Sequence, residues 1–311
     1  MNTKQEHKSM DTKLLALLKT VAMRKPIWPI LAYARVASNR ITVTDQDITV
    51  IIDYPESIAD GVYSLTPWVR TTQAVQDFPE VPSFLSSEDK RTINISDLAS
   101  AITHSSKDET RFNLCGVAVT SENALIATDG HRLYCSDLFA KDKNPLIIPT
   151  KACKTLIAYA KYKRQSHVEL THKDMRLSNA EISIRCIDGQ YPDWRIVVPT
   201  GTRTIGHFDR KKAIEALKRA ILLRKDDRYR PVKLETLDNK MLLRVSLHDI
   251  AEEVIELGIG KSEFLSCFNA TYLLDAIKCS KNKTIPIVGT TAYNPVLIDN
   301  RSIVMPMKLD S

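Results

Sequence analysis

A small unit of one helix, one β-hairpin and a second helix recurs along the chain, and this repeat constrains the fold more than any other feature. The hairpin pattern is apolar alternation leading into Thr-Asp, as in ITVTDQDITV from Ile41 and LIATDGHRLY from Leu125. A weaker copy begins at Leu243, where Ser246 replaces the threonine. Each hairpin follows a first helix by about 30 residues and precedes a second by about 23. Three copies of one unit are therefore predicted.

The predicted helices repeat apolar residues at helical spacing, and each second helix opens on a start signal. The first helices begin near Leu14, Ile95 and Asp209, and the second near Thr66, Pro149 and Asn269. Copies two and three then continue into alternating strands, from His167 and from Thr284. Copy one has only the turn-rich DFPEVPSFLSSEDK there, about 30 residues fewer, so we expect its sheet to be incomplete.

Helices alternating with short strands in this order predict an α+β chain with antiparallel sheets. The 311 residues are sufficient for two or three small domains, each with its own core. We place a shortened N-terminal domain at residues 1–88, a central domain at residues 89–202 and a C-terminal domain at residues 203–311.

The composition favours a polyanionic partner. Lys and Arg number 44 against 37 Asp and Glu, a formal net charge of +7. The first ten residues are too polar for a secretory leader, and no run of about 18 apolar residues occurs, so we expect a cytoplasmic protein with no membrane partner. The 6 cysteines form no CxxC pair, which disfavours a metal site. Glycines number only 9, which disfavours a Gly-rich nucleotide loop. No cofactor is predicted.

Four strings in the chain resemble the bacterial DNA polymerase III beta subunit, the sliding clamp, and occur in that family's order. They are ATDGHRLY at 127–134, YPDWRIVVP at 191–199, FNATYLLDAI at 268–277 and VMPMKL at 304–309. Looser matches are KPIWPILA from Lys25, ITVTDQDI from Ile41 and DETRFNLCG from Asp108. The resemblance implies a three-domain DNA-clamp architecture with helices lining the DNA channel, antiparallel sheets outside and a truncated first domain.

By this resemblance the protein is a non-catalytic processivity factor that holds duplex DNA without reading its sequence. Cations on the channel helices suit that task because phosphate contacts are independent of sequence. The segment from Lys151 to Arg164 has five basic residues and no acid, although a basic helix can also be an ordinary solvated face. We assign DNA contacts to Lys151, Lys154, Arg210 and Lys211, and, following the family's loops near the ring edge, to Lys25 and Arg111.

The resemblance also implies a hydrophobic pocket that takes a short peptide from a DNA polymerase or a clamp loader. Methionines suit such a pocket because they are flexible and polarizable and adapt to several partners. The residues that match the family's pocket are Leu114, Thr128, Gly130, His131, Arg132, Leu133, Pro192, Ile196, Val197, Ile303, Val304, Met305, Pro306 and Met307. Ile196 departs from the family, which commonly carries arginine at this position, so an altered peptide selectivity is expected.

An enzyme acting on nucleic acid is the rival from another functional class. Asp129 and His131 in TDGH could form an acid–base pair or ligate a metal, but the sequence supplies no third partner. The ELGIGKS segment ending at Ser262 resembles a phosphate loop, but Ile255 stands where that motif requires its first glycine. The clamp interpretation needs neither activity.

Ring closure is expected to differ from the family's dimer, in which domain one of one subunit pairs edge to edge with domain three of the other. The segment that supplies the edge strand of domain one is the one missing here, whereas domain three keeps Ile221 and Leu222 for the interface. A weak homodimer or a monomer is therefore favoured over a stable dimer. Two alternatives stay open. Another strand, such as the one from Val50, could close a smaller or distorted ring, or the protein could be a non-encircling homologue that acts as a competitor or adaptor for clamp-binding partners.

Overall fold

Contacts between residues divide the chain into two compact units, each built from helices and antiparallel strands. The computed structural model describes residues 10–73, 77–80, 89–225, 227, 229–247 and 251–308. Of these, the first unit takes the residues up to Ala99 with Gly116–Asn123 and Pro145–Gly189, and the second takes Ser100–Cys115, Ala124–Asn144 and the residues from Gln190 onward. The predicted α+β class is confirmed, and the domain boundaries at 88 and 202 stay a prediction.

The first unit contains a sheet of nine antiparallel strands. Its strands are β1 (Tyr33–Ala37), β2 (Arg40–Thr44), β3 (Ile48–Asp53), β4 (Gly61–Leu65), β5 (Trp68–Arg70), β6 (Lys90–Asn94), β11 (His167–Lys173), β12 (Arg176–Ser178) and β13 (Ile182–Arg185). They lie in the order β5-β4-β1-β2-β3-β13-β12-β11-β6. Strands β7 (Gly116–Val119) and β10 (Leu146–Pro149) form a further antiparallel pair in this unit.

Helices α1 (Thr12–Val21) and α3 (Thr150–Lys163) pack against each other in the first unit. Helix α1 begins where the Asp11 carboxylate accepts hydrogen bonds from the backbone of Lys13 and Leu14, at 2.7 and 3.1 Å. Its buried residues recur at i, i+3, i+4 and i+7, which is the period of a helix with one apolar face: Leu14, Leu17, Leu18 and Val21. Helix α2 (Ile95–Ala101) follows β6.

The second unit contains ten hydrogen-bonded strands. They are β8 (Leu125–Thr128), β9 (Arg132–Cys135), β14 (Arg203–Asp209), β15 (Pro231–Leu237), β16 (Lys240–Leu247), β17 (Ala251–Gly260), β18 (Phe264–Asn269), β19 (Thr284–Gly289), β20 (Val296–Ile298) and β21 (Ser302–Val304). Their order is β8-β9-β21-β20-β19-β14-β17-β16-β15-β18. Helices α4 (Arg210–Leu223) and α5 (Ala270–Cys279) pack together, and Asp209 and Asn269 cap their first turns.

No helix among the described residues is both long and apolar enough to span a bilayer.

The two Thr-Asp hairpins predicted from the sequence share one turn geometry. Between β2 and β3, Asp45 Oδ1 accepts from the backbone N–H of Asp47 and Ile48, at 3.1 and 2.6 Å. Between β8 and β9, Asp129 Oδ1 accepts from His131 and Arg132, at 3.0 and 3.2 Å. The preceding threonine in each turn donates its hydroxyl to the backbone carbonyl four residues later. The hairpin pattern is therefore confirmed for these two copies, and part of the third copy's turn lies outside the described residues.

The prediction of a helix near Thr66 is wrong. Thr66 and Pro67 form a turn, and Trp68–Arg70 returns along β4 as an antiparallel strand with Leu65 opposite Trp68. The Trp68 ring stacks on Tyr63, with centroids 4.8 Å apart. Val, Thr and Trp have low helix propensity, so the start signal at Thr66 and Pro67 is followed by residues that favour a strand.

The strand from Val50, which the alternative of a smaller or distorted ring would use, is part of β3. One edge of β3 pairs with β2 over Thr49–Asp53, and the other pairs with β13 at Ile48, Thr49 and Val50. The paired residues cannot offer a free N–H and C=O row to a second subunit, and the ring closure itself stays a prediction. The outermost strand at this end of the first unit's sheet is β5.

In both units a cation at the start of one helix binds the end of the neighbouring helix. Lys151 in α3 donates to the carbonyl oxygen of Val21, the last residue of α1, at 2.8 Å, and pairs with the carboxylate of Asp45. Arg210 in α4 donates to the carbonyl oxygen of Ser280, immediately after α5, at 2.8 Å. The carbonyl end of a helix carries partial negative charge, so both contacts stabilise the helix pair.

We expect Lys151→Ala to lower the free energy of unfolding by about 1–2 kcal/mol, because it leaves the largely buried Asp45 carboxylate without its cation and removes the cap on α1. Lys154→Ala is the matched control, since Lys154 is exposed on the same helix and should change stability by no more than about 0.5 kcal/mol. Urea unfolding followed by circular dichroism measures both. Equal losses would show that Lys151 has no special structural role.

Candidate functional site

The C-terminal strand and the TDGHRL turn are joined along one ladder in the second unit. Strand β21 pairs with β9, with Ile303 opposite Leu133 and Val304 opposite Arg132. The backbone N–H of Met305 donates to the carbonyl oxygen of His131 at 2.9 Å, which continues the contact beyond the strand. The predicted pocket residues of these two strings, far apart in the sequence, are therefore neighbours in the structure.

The YPDW turn is held against the same hairpin. The buried Tyr191 hydroxyl accepts a hydrogen bond from the backbone N–H of Thr128 at 3.0 Å. The Asn113 side chain donates to the carbonyl oxygen of Gln190 at 2.9 Å, which ties the segment before β7 to the same turn. Burial raises the pKa of Tyr191, so its hydroxyl stays neutral and acts as a fixed hydrogen-bonding group.

Arg132 connects the turn to helix α5 and is only 9% exposed. Its guanidinium donates to Asp129 Oδ2 at 3.0 Å, to Asp275 Oδ2 at 2.6 Å and to the carbonyl oxygen of Thr103 at 2.7 Å. It also lies 4.5 Å from the centroid of the Tyr272 ring. Two carboxylates, one carbonyl and one aromatic face together compensate for the burial of this charge.

Tyr272 also contacts the exposed His131, whose ring stacks on it with centroids 6.1 Å apart and planes 15° apart. The C-terminal segment reaches the FNATYLLDAI string as well, because Met307 N–H donates to the carbonyl oxygen of Cys267, next to its first residue, at 2.8 Å. All four strings that carry the family resemblance thus meet in the second unit. Tyr191, Tyr272 and Asp275 were missed as site residues; each lies inside a matched string, but nothing in its own spacing indicates which neighbour it contacts.

The predicted pocket residues differ in how much side chain they expose. Leu133, Ile303 and Val304 are 2% exposed or less, and Leu114 is also buried, so these four support the site from below. Arg132 is buried as described, and Thr128 is half-buried. The remaining residues can present surface to a ligand: Gly130, His131, Pro192, Ile196, Val197, Met305, Pro306 and Met307. Ile196 is 81% exposed, so its apolar surface is available. Whether a peptide binds these residues stays a prediction.

Arg111 braces the TDGH turn from outside. It pairs with Asp108 at 3.2 Å and donates to the carbonyl oxygen of Asp129 at 3.0 Å. Gly130 has φ of +90°, and a Cβ on it would lie 3.0 Å from the Arg111 guanidinium, so a larger residue is disfavoured by both conformation and space. Arg111 was predicted to contact DNA, and the structure shows that its guanidinium already has two partners.

The other predicted DNA contacts fall into two groups. Lys25, Lys154 and Lys211 are exposed, and none has an ion-pair partner among the described residues. Lys151 and Arg210 bind the ends of neighbouring helices, as described above. Of the predicted interface residues, Ile221 packs partly buried against the core of the second unit, whereas Leu222 is 72% exposed.

The acid–base interpretation of Asp129 and His131 has no structural support. Both oxygens of the Asp129 carboxylate are engaged, one by the turn N–H groups and the other by Arg132, and the carboxyl side chain is only 14% exposed. Among the residues that the structure describes, no three His, Cys, Asp or Glu side chains gather into a metal-binding group. Asp129 shapes the turn.

His104 lies in the core beside this site. Its ring is 5.7 Å from that of Tyr134, and its Nδ1 lies 3.1 Å from the carbonyl oxygen of Ser100. Burial, with a smaller contribution from the charge of Arg132, lowers the pKa of His104 to about 4. The imidazole is therefore neutral in the folded protein at neutral pH.

This burial predicts acid-sensitive stability. Between about pH 6.5, the ordinary pKa of histidine, and about pH 4, the unfolded chain binds a proton at His104 that the folded protein does not. The free energy of unfolding should therefore fall, as the pH is lowered, by up to about 3 kcal/mol. Urea unfolding at several pH values between 7 and 4 measures the slope. His104→Asn should flatten it, whereas the exposed His131→Asn should not; equal slopes in all three proteins would contradict the assignment to His104.

Comparison with known proteins identifies the family. The family model for the DNA polymerase III beta subunit central domain matches residues 90–193, and the model for its C-terminal domain matches residues 195–306. The beta sliding clamp of Haemophilus influenzae is 25% identical over 290 residues, which cover 85% of this chain and 77% of that protein. The one from Chlamydia pneumoniae is 26% identical over 219 residues, which cover 66% of this chain but only 60% of the relative.

A solved structure shows the same fold along nearly the whole length. The crystal structure of the DNA polymerase III beta subunit from Thermotoga maritima matches with a TM-score of 0.78 and 19% identity, covering 96% of this chain and 97% of that one. The prediction from the four strings is therefore confirmed. The chain belongs to the family of the DNA polymerase III beta subunit, the sliding clamp.

Proposed function

We propose that this protein is a sliding-clamp processivity factor that holds duplex DNA non-specifically and binds polymerase or clamp-loader peptides at the site built around the TDGHRL turn. The observation that carries the proposal is the meeting of the four matched strings at one surface of the second unit. A clamp acts as a tether: it keeps the polymerase at high local concentration near the template and performs no chemistry itself. We also propose a cytoplasmic location, because the DNA of bacteria such as those that carry the relatives lies in the cytoplasm.

The peptide part of the proposal is supported by the chemistry of the exposed residues. Met305, Met307 and Val197 supply apolar surface, while His131 and Tyr272 supply stacked rings at its border. Flexible methionines beside fixed aromatic rings suit a short hydrophobic peptide whose sequence varies between partners. The exposed Ile196 adds apolar area and supplies no charge for an acidic peptide residue.

A peptide of the clamp-binding type should bind with a dissociation constant in the micromolar range. Met305→Ala should weaken binding by about 1–3 kcal/mol, because an apolar anchor is lost from the peptide site. Met23→Ala is the matched control: it makes the same chemical change at a residue of the first unit that is 38% exposed. Isothermal calorimetry measures both. If the unmodified protein does not bind the peptide, the proposed peptide site is wrong.

The DNA part is supported by exposed cations on helices of both units. Lys13, Lys19, Lys154 and Lys161 lie on α1 and α3, and Lys211, Lys212, Lys218 and Arg219 lie on α4. Lysines bind phosphate as flexible point charges, and phosphate contacts carry no sequence information. Such contacts hold a duplex while permitting movement along it.

Affinity for duplex DNA should be weak, indifferent to sequence and steeply reduced by salt. Replacing Lys154 and Lys211 together with alanine should reduce the slope of log K against log salt by about two, since each phosphate contact contributes about 0.9. The control replaces Lys173 and Lys233, one exposed lysine on a strand of each unit. Fluorescence anisotropy over a salt series measures the slopes; sequence-selective binding, or equal slopes for both double variants, contradicts the assignment.

We also infer that the chain forms a weak dimer or a monomer. In the second unit, strand β17 pairs with β16 along one edge, and along the other edge only its residues Gly258–Gly260 pair with β14. Among the described residues, positions 252–257 of β17 therefore have no strand partner on the edge that faces β14. Leu222 and Val254, 72% and 46% exposed, lie on α4 and β17, two elements that are in contact. In the first unit, the end of the sheet nearest β4 is the three-residue strand β5, which offers few hydrogen bonds to such an edge.

Sedimentation at several concentrations tests this inference. We expect the mass to rise from that of one 35.1 kDa chain only at high concentration, or not at all. A mass of two chains that does not change with dilution would contradict it and would indicate the closed dimer of the family. The double variant of Lys154 and Lys211 serves as a control, because its substitutions lie outside the strand edges.

A further inference from the structure

The loop that follows helix α1 displays two cations and two large apolar side chains at its tip. Arg24 and Lys25 are exposed, Ile27 is 97% exposed and Trp28 is 56% exposed. Only Lys25 of this group was assigned a role from the sequence. The other two tryptophans are engaged within the protein: Trp68 stacks on Tyr63, and Trp194 is 4% exposed.

The base of the loop is fixed. The backbone N–H of Met23 donates to the carbonyl oxygen of Leu31 at 3.1 Å and closes the loop, and Leu31 N–H donates to the carbonyl oxygen of Trp28 at 3.0 Å. Ile30 and Leu31 are buried in a cluster with Val62 and Phe78.

Two prolines restrict the tip as well, since Pro26 precedes Ile27 and Pro29 follows Trp28. A tip with restricted backbone loses little conformational entropy when it binds a ligand.

A flat apolar ring beside two cations matches the chemistry of an unpaired nucleobase and its phosphates. Bases of every type present a π face that stacks on tryptophan, and arginine and lysine bind the flanking phosphates. Bases inside an intact duplex are already stacked on both faces and offer none to Trp28. The favoured ligand is therefore DNA with an unpaired base, as at a single-stranded stretch or a primer end.

We propose that the loop binds an unpaired DNA base by stacking on Trp28, with Arg24 and Lys25 on the adjacent phosphates and Ile27 covering the edge of the base. This inference deepens the proposed DNA contact and rests on it. It adds a preference that helix lysines do not provide, because they bind single-stranded and double-stranded phosphates alike.

The test compares the full chain and its variants on three labelled DNA probes at one salt concentration: a blunt duplex, a primer–template junction with a single-stranded tail, and the tail alone. The unmodified protein should bind the junction more tightly than the duplex. Trp28→Ala should weaken junction binding about five- to 150-fold, the range of one base stack, and leave duplex binding unchanged. Trp28→Phe keeps an aromatic ring and should retain most of the preference.

The outcomes separate the two proposals. If the unmodified protein binds duplex with the expected salt dependence but shows no preference for the junction, or if Trp28→Ala keeps the preference, the stacking is overturned and the DNA-holding function stands. The absence of any salt-dependent duplex binding overturns that function. A last experiment adds vesicles rich in anionic lipid and records tryptophan emission. If the emission shifts, if Trp28→Ala abolishes the shift, and if the protein shows no preference for the junction, the loop binds a membrane surface and the proposal is overturned.

Discussion

The candidate site depends on the burial of one charge, the guanidinium of Arg132. An arginine that is 9% exposed is tolerated only where its hydrogen-bonding capacity is satisfied, and here Asp129, Asp275 and the Thr103 carbonyl satisfy it. These partners come from the hairpin turn, from helix α5 and from the segment after α2. Because removal of any one partner leaves a buried charge underpaired, the hairpin and α5 are held in a fixed relative position.

The stacked Tyr272 extends this constraint to the surface. Its ring contacts both the Arg132 guanidinium and the exposed His131 ring, so the buried network and the exposed surface of the candidate site share one side chain. A peptide site on this surface would be preorganised, since its aromatic border is positioned before any ligand arrives. The methionines that follow β21 are half-buried and supply the adaptable part of the same surface.

The two compact units share two structural features, an Asp-centred hairpin turn and a cation that binds a helix end. The same Asp-centred turn closes one hairpin of each compact unit, and in each unit a cation near the start of one helix binds the carbonyl end of its neighbour. These features explain why a helix lysine such as Lys151 cannot be assigned to DNA by its position alone. A basic residue near a helix start serves the packing of the helix pair as readily as it serves a phosphate, and only its contacts separate the two roles.

Sequence alone determined the α+β class, the Thr-Asp hairpins, five of the six predicted helices and the strings that identify the family, because apolar period, turn residues and capping groups are local properties of the chain. The tertiary structure decided the rest. The segment from Thr66 forms a turn and strand β5, because the stacking of Trp68 on Tyr63 across the strands outweighs the helix start signal. The tertiary structure also placed Leu133 and Ile303 beneath the site and Ile196 on its surface, because burial depends on which distant segments cover a residue, and no local pattern contains that information.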